Sequence, residues 1–165
     1  MDLVPYSDSD EWLTRALETN PEVMRHLGGP TLHEDIPLVH RRRLGDPWWL
    51  TIVPEPEAPA VGTIGVWPKE LDGEPILEVG WMIVPEQQGR GLATRALGLL
   101  LDRIHSVPGW DTVHAFPAVT NSGSNSLCRK LGFVLLGVRD FDYAGRTLEC
   151  NHWRLSIDET DRQST

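Results

Sequence analysis

Apolar and polar positions follow two different rhythms along this chain of 165 residues, and together they predict strands and helices in mixed order. Apolar runs that are rich in β-branched and aromatic residues predict strands. These runs lie at positions 3–5, 48–53, 61–67, 76–84, 112–117, 133–143 and 147–157. Apolar residues spaced three and four apart predict helices. These patterns lie at positions 9–19, 21–27, 31–43, 92–105 and 121–131.

This order of elements predicts an α+β fold in one domain, 1–165, built on a mixed sheet. A hydrophobic content of 40% is enough for a substantial core. The proline-rich stretch 54–59 predicts a hairpin loop, and the polar tail 158–165 is expected to fray. No apolar run is long enough to span a membrane, and the N-terminus lacks a signal-peptide pattern. Two cysteines without metal or disulfide spacing favour the cytoplasm.

The net charge of the chain limits the kinds of molecule that it is expected to bind. The net charge of −9 argues against a nucleic-acid surface, which needs clustered cations, but it suits a cationic amine. The basic run 41–43 follows a helical pattern, and we interpret it as cations at a helix C-terminus. The six histidines are scattered, so no metal site is expected. Thr31 and Glu34 have the spacing of a capping box at a helix start.

A glycine-containing segment from Gln88 to Ala93 joins a predicted strand to a predicted helix. The first turn of a helix leaves backbone N–H groups unpaired, and the helix dipole adds positive charge, so this junction suits phosphate. Gly89 and Gly91 allow the backbone to approach a ligand closely. A P-loop is excluded because no Lys-Ser or Lys-Thr follows, and the third glycine of a dinucleotide fingerprint is missing. We therefore expect a phosphate-bearing cofactor here.

A second motif follows about thirty residues later, in a short helix with a polar start. Asn121 or Ser122 can serve as its N-cap, and Gly132 can end it in the left-handed conformation. Ser124 and Cys128 are one turn apart and share one face of this helix.

The two motifs together resemble the hallmarks of the GNAT acetyltransferase superfamily. The first matches Gln/Arg-x-x-Gly-x-Gly/Ala, the loop that holds the pyrophosphate of acetyl-CoA in that superfamily. The second matches Asn-x-x-Ala/Ser-x-x-x-Tyr-x-x-x-Gly-Phe, except that Cys128 stands at the tyrosine position. The run from Glu78 to Trp81 is similar to the ribosomal-protein N-terminal acetyltransferase branch. The resemblance covers most of the chain and implies a mostly antiparallel sheet of six or seven strands, flanked by helices.

The resemblance implies an N-acetyltransferase that uses acetyl-CoA as its cosubstrate, without a metal. A primary amine on a protein N-terminus or a small molecule would attack the thioester directly in a ternary complex. A monomer or a homodimer is expected, with neither nucleic acid nor membrane as a partner. The residues expected to bind the cofactor are Met82, Ile83, Val84, Gln88, Gly89, Arg90, Gly91, Leu92, Ala93, Thr94, Asn121 and Asn125.

Three of these residues have an alternative role. Arg90 could be a solvated arginine at the helix start rather than a phosphate ligand. Asn121 and Asn125 could hydrogen-bond the pantetheine arm or simply cap the helix. The backbone N–H groups around 82–84 are expected to hold that arm in the manner of an added strand and to polarise the thioester carbonyl.

Three side chains are candidates for the chemistry. An alkyl amine has a pKa of about 10 and must lose a proton before it attacks. Glu78 is the candidate base, and burial among Ile76, Trp81 and Ile83 would raise its pKa; a solvated or salt-bridged strand glutamate is the alternative. Cys128 could protonate the leaving thiolate or only pack in the core. Ser124, one turn earlier, could position a water molecule instead.

Two functions stay open from the sequence: an N-acetyltransferase, and a non-catalytic acyl-CoA-binding regulatory module that has lost its acid. Tryptophans at 48, 49, 67 and 81 fall on neighbouring predicted strands, and most are expected to pack in the core or on the sheet. Trp48 and Trp49 point to opposite faces of their strand, so at most one of them can line a pocket.

Overall fold

The computed structural model describes residues 1–143 and 145–157, which form a seven-stranded sheet with helices on both faces. The strands are β1 (Asp2–Pro5), β2 (Trp49–Val53), β3 (Gly62–Leu71), β4 (Glu74–Ile83), β5 (Thr112–Ala115), β6 (Val134–Tyr143) and β7 (Arg146–Ser156). The helices are α1 (Glu11–Glu18), α2 (Pro21–Met24), α3 (Ile36–Arg41), α4 (Leu92–His105) and α5 (Ser122–Lys130). The tail 158–165, which we expected to fray, lies outside the described residues.

The strands are ordered β1-β2-β3-β4-β5-β7-β6. All neighbouring pairs are antiparallel except β4 and β5, which run parallel. These two strands share a single registered pair, Glu78 and His114. Because β4 continues to Ile83 without a β5 partner, the sheet opens between the two strands beyond Glu78. The predicted α+β fold with a mixed, mostly antiparallel sheet is confirmed, and the opening positions the functional site.

Helices on the two faces of the sheet bury two separate hydrophobic clusters. The larger cluster joins α4 and α5 to one face of the sheet, with Leu97 and Leu100 of α4 fully buried. The smaller cluster places Leu13 and Leu17 of α1 against the opposite face, near Trp49. Side chains along β2 and β4 therefore alternate between the two clusters, as period-two strands require.

The hairpin between β3 and β4 is longer than the apolar pattern predicts. Its two turn residues, Asp72 and Gly73, both have positive φ angles, of 54° and 85°. This is the backbone of a tight two-residue hairpin, which an Asp-Gly pair favours. The turn extends both strands into polar sequence, and it brings Lys69 of β3 to the level of Ile76 of β4.

The predicted helix at 31–43 is only partly formed, and its capping box is wrong. A short 3₁₀ turn, His33–Asp35, precedes α3, and Leu32 rather than Thr31 is its N-cap. The hydroxyl of Thr31 instead donates to the carboxylate of Glu18 at 3.2 Å. The Thr31 side chain therefore bonds to Glu18 of α1 instead of capping the helix as the local pattern predicts.

Candidate functional site

A cleft of about 500 Å³ opens where β4 and β5 separate. One half is lined by the loop after β4, the first turn of α4 and the start of α5. The other half is lined by α2, by aromatic residues of β2, β3 and β6, and by Arg43. Glu78 lies in the lining as well. The cleft therefore joins most of the residues that the sequence singled out.

The glycine loop has the geometry of an anion site. Gly89 and Gly91 have φ angles of 72° and 73°, a left-handed backbone that other residues rarely adopt. Gly91 is the N-cap of α4 and has no side chain to cover the amides of the first turn. Leu92, Ala93 and Thr94 of that turn line the cleft together with both glycines. The arrangement suits the diphosphate of a nucleotide cofactor.

Gln88 and Arg90 of this loop make different contacts. The Nε2 of Gln88 donates to the carbonyl of Ile83 at 2.9 Å and so ties the loop to the end of β4. Arg90 is exposed, donates to the side-chain oxygen of Gln87 and is not among the residues that line the cleft. The structure therefore favours the alternative interpretation of Arg90 as a solvated arginine.

The open edge of β4 offers some of the expected backbone donors and not others. The N–H of Val84 donates to the carbonyl of Val61 at 2.9 Å, so this donor is already used on the β3 side. Because backbone groups alternate along an antiparallel strand, the N–H of Met82 faces β3 too. The N–H groups of Trp81 and Ile83 then face the opening. The expectations for the Met82 and Val84 donors are corrected, the one for Ile83 stays a prediction, and the Trp81 donor was missed.

Glu78 is a buried carboxylate with two partners. It is 9% exposed, accepts a hydrogen bond from Trp67 Nε1 at 3.2 Å and lies 3.5 Å from the ammonium of Lys69. Burial raises the pKa of the Glu78 carboxyl, while the charge of Lys69 and the hydrogen bonds from Trp67 and Lys69 lower it. The net direction is upward, as a general base near neutral pH requires.

Two of the three residues expected to bury Glu78 do not do so. Trp81 and Ile83 pack in the α4 cluster, on the opposite face of the sheet. The indole of Trp67 is the group beside Glu78, and it extends over Gly80. A Cβ at Gly80 would lie 2.6 Å from Trp67 Cη2. The glycine two residues after Glu78 is therefore needed because it leaves room for the indole that holds the carboxylate.

The residues of α5 divide into cleft and core. Ser124 and Asn121 line the cleft, and Asn121 Oδ1 also accepts the N–H of Ser124 at 3.1 Å as the N-cap. Cys128 is fully buried in the core, does not line the cleft, and burial raises its thiol pKa to about 12. This supports the packing interpretation of Cys128 and removes it as the acid.

Asn125 is a structural residue rather than a cofactor ligand. It is buried, and its Nδ2 donates to the carbonyls of Ala118 at 3.0 Å and Asn121 at 2.8 Å. Its Oδ1 accepts from Asn151 Nδ2 at 2.7 Å and from Trp153 Nε1 at 2.8 Å. These bonds use the hydrogen-bonding capacity of the amide. The expectation that Asn125 contacts the pantetheine arm is corrected.

The second half of the cleft is aromatic, and the sequence analysis largely missed it. Trp49 stacks on Trp67 with ring centroids 5.0 Å apart, and both line the cleft with Trp81. Trp48 instead packs on Trp110 in the α4 cluster, which confirms that at most one of the adjacent tryptophans lines a pocket. Trp81 and Trp49 also pack against the two hydrophobic clusters, so lining the cleft adds to the expected packing role rather than replacing it.

Two further residues of this half had no local signal. Tyr143 at the end of β6 lines the cleft, and burial raises its pKa to about 12, so its hydroxyl stays neutral. Arg43 also lines the cleft and is 5% exposed, which corrects its interpretation as a cation at a helix end. Its buried partner, Glu18, lies 25 residues earlier in the chain.

The chain matches known proteins over most of its length. A family model described as the acetyltransferase (GNAT) domain matches residues 1–134. Similar solved structures include a GNAT-family acetyltransferase from Bacillus anthracis, with a TM-score of 0.81, 18% identity and 95% of each chain covered. An acetyltransferase from Agrobacterium tumefaciens has a TM-score of 0.75 and 22% identity, with 93% of this chain and 88% of that one covered.

A spermidine N-acetyltransferase from Vibrio cholerae, in complex with CoA and spermine, is also similar. Its TM-score is 0.76 and its identity 19%, with 94% of this chain and 95% of that one covered. At these identities the structures show a shared fold. No described helix is long and apolar enough to cross a membrane, and the described residues hold no cluster of histidine, cysteine and carboxylate ligands that fits a metal ion.

Proposed function

This chain belongs to the GNAT acetyltransferase family, and we propose that it moves the acetyl group of acetyl-CoA to a primary amine. One observation carries the proposal: a single cleft joins the glycine loop before α4, the open edge of β4 and the buried carboxylate of Glu78. These supply an anion site, a row of backbone donors and a base, which are the parts that the reaction needs.

Acetyl-CoA fits the cofactor half of the cleft. Its diphosphate would lie on the amides of the loop and first turn between Gly89 and Thr94, where the helix dipole favours negative charge. Its pantetheine arm would run along β4 as an added strand and accept from the N–H groups of Trp81 and Ile83. Asn121 and Ser124 line the same path from the side of α5.

The chemistry follows from where Glu78 lies. An ammonium that enters the cleft gives one proton to the Glu78 carboxylate, directly or through water, and the free amine attacks the thioester carbonyl carbon. A C–N bond forms, the nitrogen loses its second proton to solvent, and the C–S bond breaks to release the CoA thiolate, which takes up one proton. The products are an acetamide, CoA and one net released proton. A general base of this kind contributes about 10²–10⁴-fold to a rate. Holding both reactants in one cleft contributes further.

The leaving group needs no strong acid in this site. Thiols have a pKa of about 8.5, so the CoA thiolate can leave near neutral pH and take its proton from solvent. Ser124 lines the cleft at the start of α5, and in this proposal its hydroxyl holds a water for that step. Cys128 has no part in this scheme, because it is buried away from the cleft.

The acceptor is a protein N-terminus or a small amine, and the net charge of −9 supports attraction of a cation to the surface. Two free, buried cysteines are consistent with a reducing cytoplasm as the place of action. A monomer or a homodimer stays a prediction.

The test separates binding from turnover. In Gly91→Asp and Gly91→Asn the new side chains are isosteric and tolerate the left-handed backbone, so only the charge differs. We expect the aspartate to weaken acetyl-CoA binding, measured by titration calorimetry, far more than the asparagine. We expect Glu78→Gln to bind acetyl-CoA normally and to release CoA at least about 10²-fold more slowly with amines. Binding without CoA release on any amine would identify a non-catalytic acyl-CoA module instead.

A further inference from the structure

Arg43 is a buried cation with one hydrogen-bond donor that has no partner among the described residues. It lies two residues after α3 and is buried, although Arg41 and Arg42 beside it are exposed. Its Nη2 donates to the buried carboxylate of Glu18 on α1. Its Nη1 has no hydrogen-bond partner in the part of the chain that the structure describes. Arg43 also lines the cleft, so a molecule bound there would lie beside the residue that carries this donor.

A second unpaired donor lies beside the first. The indole Nε1 of Trp49 is buried and also lacks a partner among the described residues. The Trp49 ring centroid is 4.8 Å from the guanidinium carbon of Arg43, and Trp49 lines the cleft too. The other unpaired buried atoms found in residues 1–143 and 145–157, Tyr6 Oη and His40 Nε2, belong to residues outside the cleft lining, although the Tyr6 ring centroid is 5.8 Å from the Arg43 guanidinium carbon. Native interiors pair buried donors, so two adjacent ones on a cleft indicate a ligand with acceptor oxygens.

The donors lie at one end of a row that ends at the candidate base. The Arg43 guanidinium sits over Trp49, Trp49 stacks on Trp67 with centroids 5.0 Å apart, and Trp67 donates to Glu78. The acceptor half of the cleft thus has a carboxylate at one end, an aromatic wall in the middle and a guanidinium at the other end. A molecule with an ammonium and an anion, joined by an apolar segment, is complementary to it.

We propose that the acceptor is a small primary amine that also carries a carboxylate. The carboxylate accepts from Arg43 Nη1 and Trp49 Nε1, while the amine lies at Glu78. A polyamine would bring a second ammonium against Arg43 and leave both donors unpaired. The neutral carbonyl beside a peptide N-terminus could accept, but without the charge assistance that a guanidinium gives to a carboxylate. The inference rests on the proposed function, since it names the substrate class of the same site.

The experiment compares matched acceptors in a steady-state assay of CoA release. One series is 4-aminobutanoate, 4-aminobutanamide and butylamine; the other is leucine, leucinamide and 3-methylbutylamine. Spermidine and a tripeptide with N-terminal leucine are assayed beside them. In at least one series we expect kcat/KM for the acid to exceed that for the alkyl amine by at least about tenfold, the value of one charged hydrogen bond.

Variants then test whether Arg43 and Trp49 bind the carboxylate of the acceptor. Arg43→Lys keeps a cation for Glu18 but loses the fork of donors, and Trp49→Phe keeps the aromatic stack but loses the N–H. Both should reduce the acid-to-amine ratio at least about threefold, as expected for loss of part of a charged hydrogen bond. Arg42→Lys, on the exposed neighbour, should leave the ratio unchanged. The ratio is internal to each variant, so a general loss of active protein does not alter it.

Several results would overturn the inference. The inference would be wrong if kcat/KM were equal for acids and alkyl amines. It would also be wrong if spermidine or the tripeptide were preferred, or if neither Arg43→Lys nor Trp49→Phe changed the acid-to-amine ratio. Turnover of any amine under those results would leave the proposed acetyl transfer standing. No turnover with any amine would instead overturn the proposed function and this inference together.

Discussion

At the scale of the residue, burial and a nearby cation have opposite effects on the pKa of Glu78. Burial alone raises the pKa of a carboxyl, because the charged form loses its hydration. Lys69 lies 3.5 Å away and opposes that effect, and the Trp67 hydrogen bond opposes it too. The net effect is a raised pKa, which is the direction that the proposed general base needs. The residues that set this balance lie on the next strand, β3.

Removal of the Lys69 charge should move the acid limb of the pH–rate profile. The base must be ionised, so kcat/KM falls as the pH drops through the pKa of Glu78. Because Lys69 lowers that pKa, Lys69→Met should shift the limb to higher pH and leave the variant slower on the acid side of the profile. Lys69→Arg retains the charge and should leave the limb in place. A limb that is identical in all three proteins would contradict the assignment of Glu78 as the base.

Gly80 is the second residue on which the base depends. In Gly80→Ala the added Cβ would lie 2.6 Å from Trp67 Cη2, and Trp67 is held by its stack on Trp49 and its bond to Glu78. We expect kcat to fall at least about tenfold, since a misplacement of about 1 Å can cost about 10²-fold. CoA release at saturating acetyl-CoA is the measurement.

A glycine in α4 supplies the matched control. A Cβ at Gly98 meets nothing within 4 Å, and its backbone is helical. Gly98→Ala should retain kcat and raise stability by about 0.5–1 kcal/mol, because glycine is a poor helix former. If Gly80→Ala were as active as Gly98→Ala, the proposed role of the Trp67 indole would be wrong.

At the scale of the element, local patterns located α4 and α5 well but not the partners of their side chains. The predicted range 92–105 is the range of α4, because its apolar spacing and the glycine before it are both local signals. The N-cap of α5 at Asn121 and the left-handed Gly132 were likewise predictable. Asn125 was not, since two of its four hydrogen bonds come from Asn151 and Trp153 of β7, which are distant in sequence. Apolar periodicity predicts on which face of a helix a residue lies, but it does not predict which residues pack against that face.

The amide of Asn125 should be worth far more to folding than that of Asn121, although they lie one turn apart. Asn125→Asp leaves the carbonyls of Ala118 and Asn121 without their donor and buries a charge. We expect a loss of at least about 2 kcal/mol, at roughly 1–3 kcal/mol per unsatisfied buried group. Asn121→Asp keeps an acceptor for the N–H of Ser124 at a helix N-terminus, so it should be nearly neutral. Urea denaturation of both variants would reveal the difference, and similar losses would contradict it.

At the scale of the whole molecule, the site exists because β4 and β5 pair at one position and then separate. The sequence motifs located the glycine loop and Glu78, since both lie within one strand–loop–helix segment. They could not locate Arg43, whose burial depends on Glu18, or Tyr143, which reaches the cleft from the far end of β6. The part of the cleft at the glycine loop was therefore largely predictable, while the part at Arg43 and Tyr143 was not, because it is assembled from residues distant in sequence.

Hydrogen exchange along β4 should report the separation of the strands directly. The N–H of Val84 donates to Val61 at 2.9 Å, and alternation places the N–H of Met82 on the same side. These two amides should be protected with or without ligand, while those of Trp81 and Ile83 should exchange faster in the free protein.

Acetyl-CoA should reverse that contrast if its pantetheine arm lies along the open edge of β4. At a ligand concentration of about 100 Kd, an amide that exchanges only when the ligand has left should slow by up to about 100-fold. Exchange measured by NMR would therefore show Trp81 and Ile83 gaining protection, while Met82 and Val84 serve as controls in the same strand. Equal gains at all four amides would indicate general stabilisation, and no gain at Trp81 and Ile83 would exclude this strand edge as the binding path.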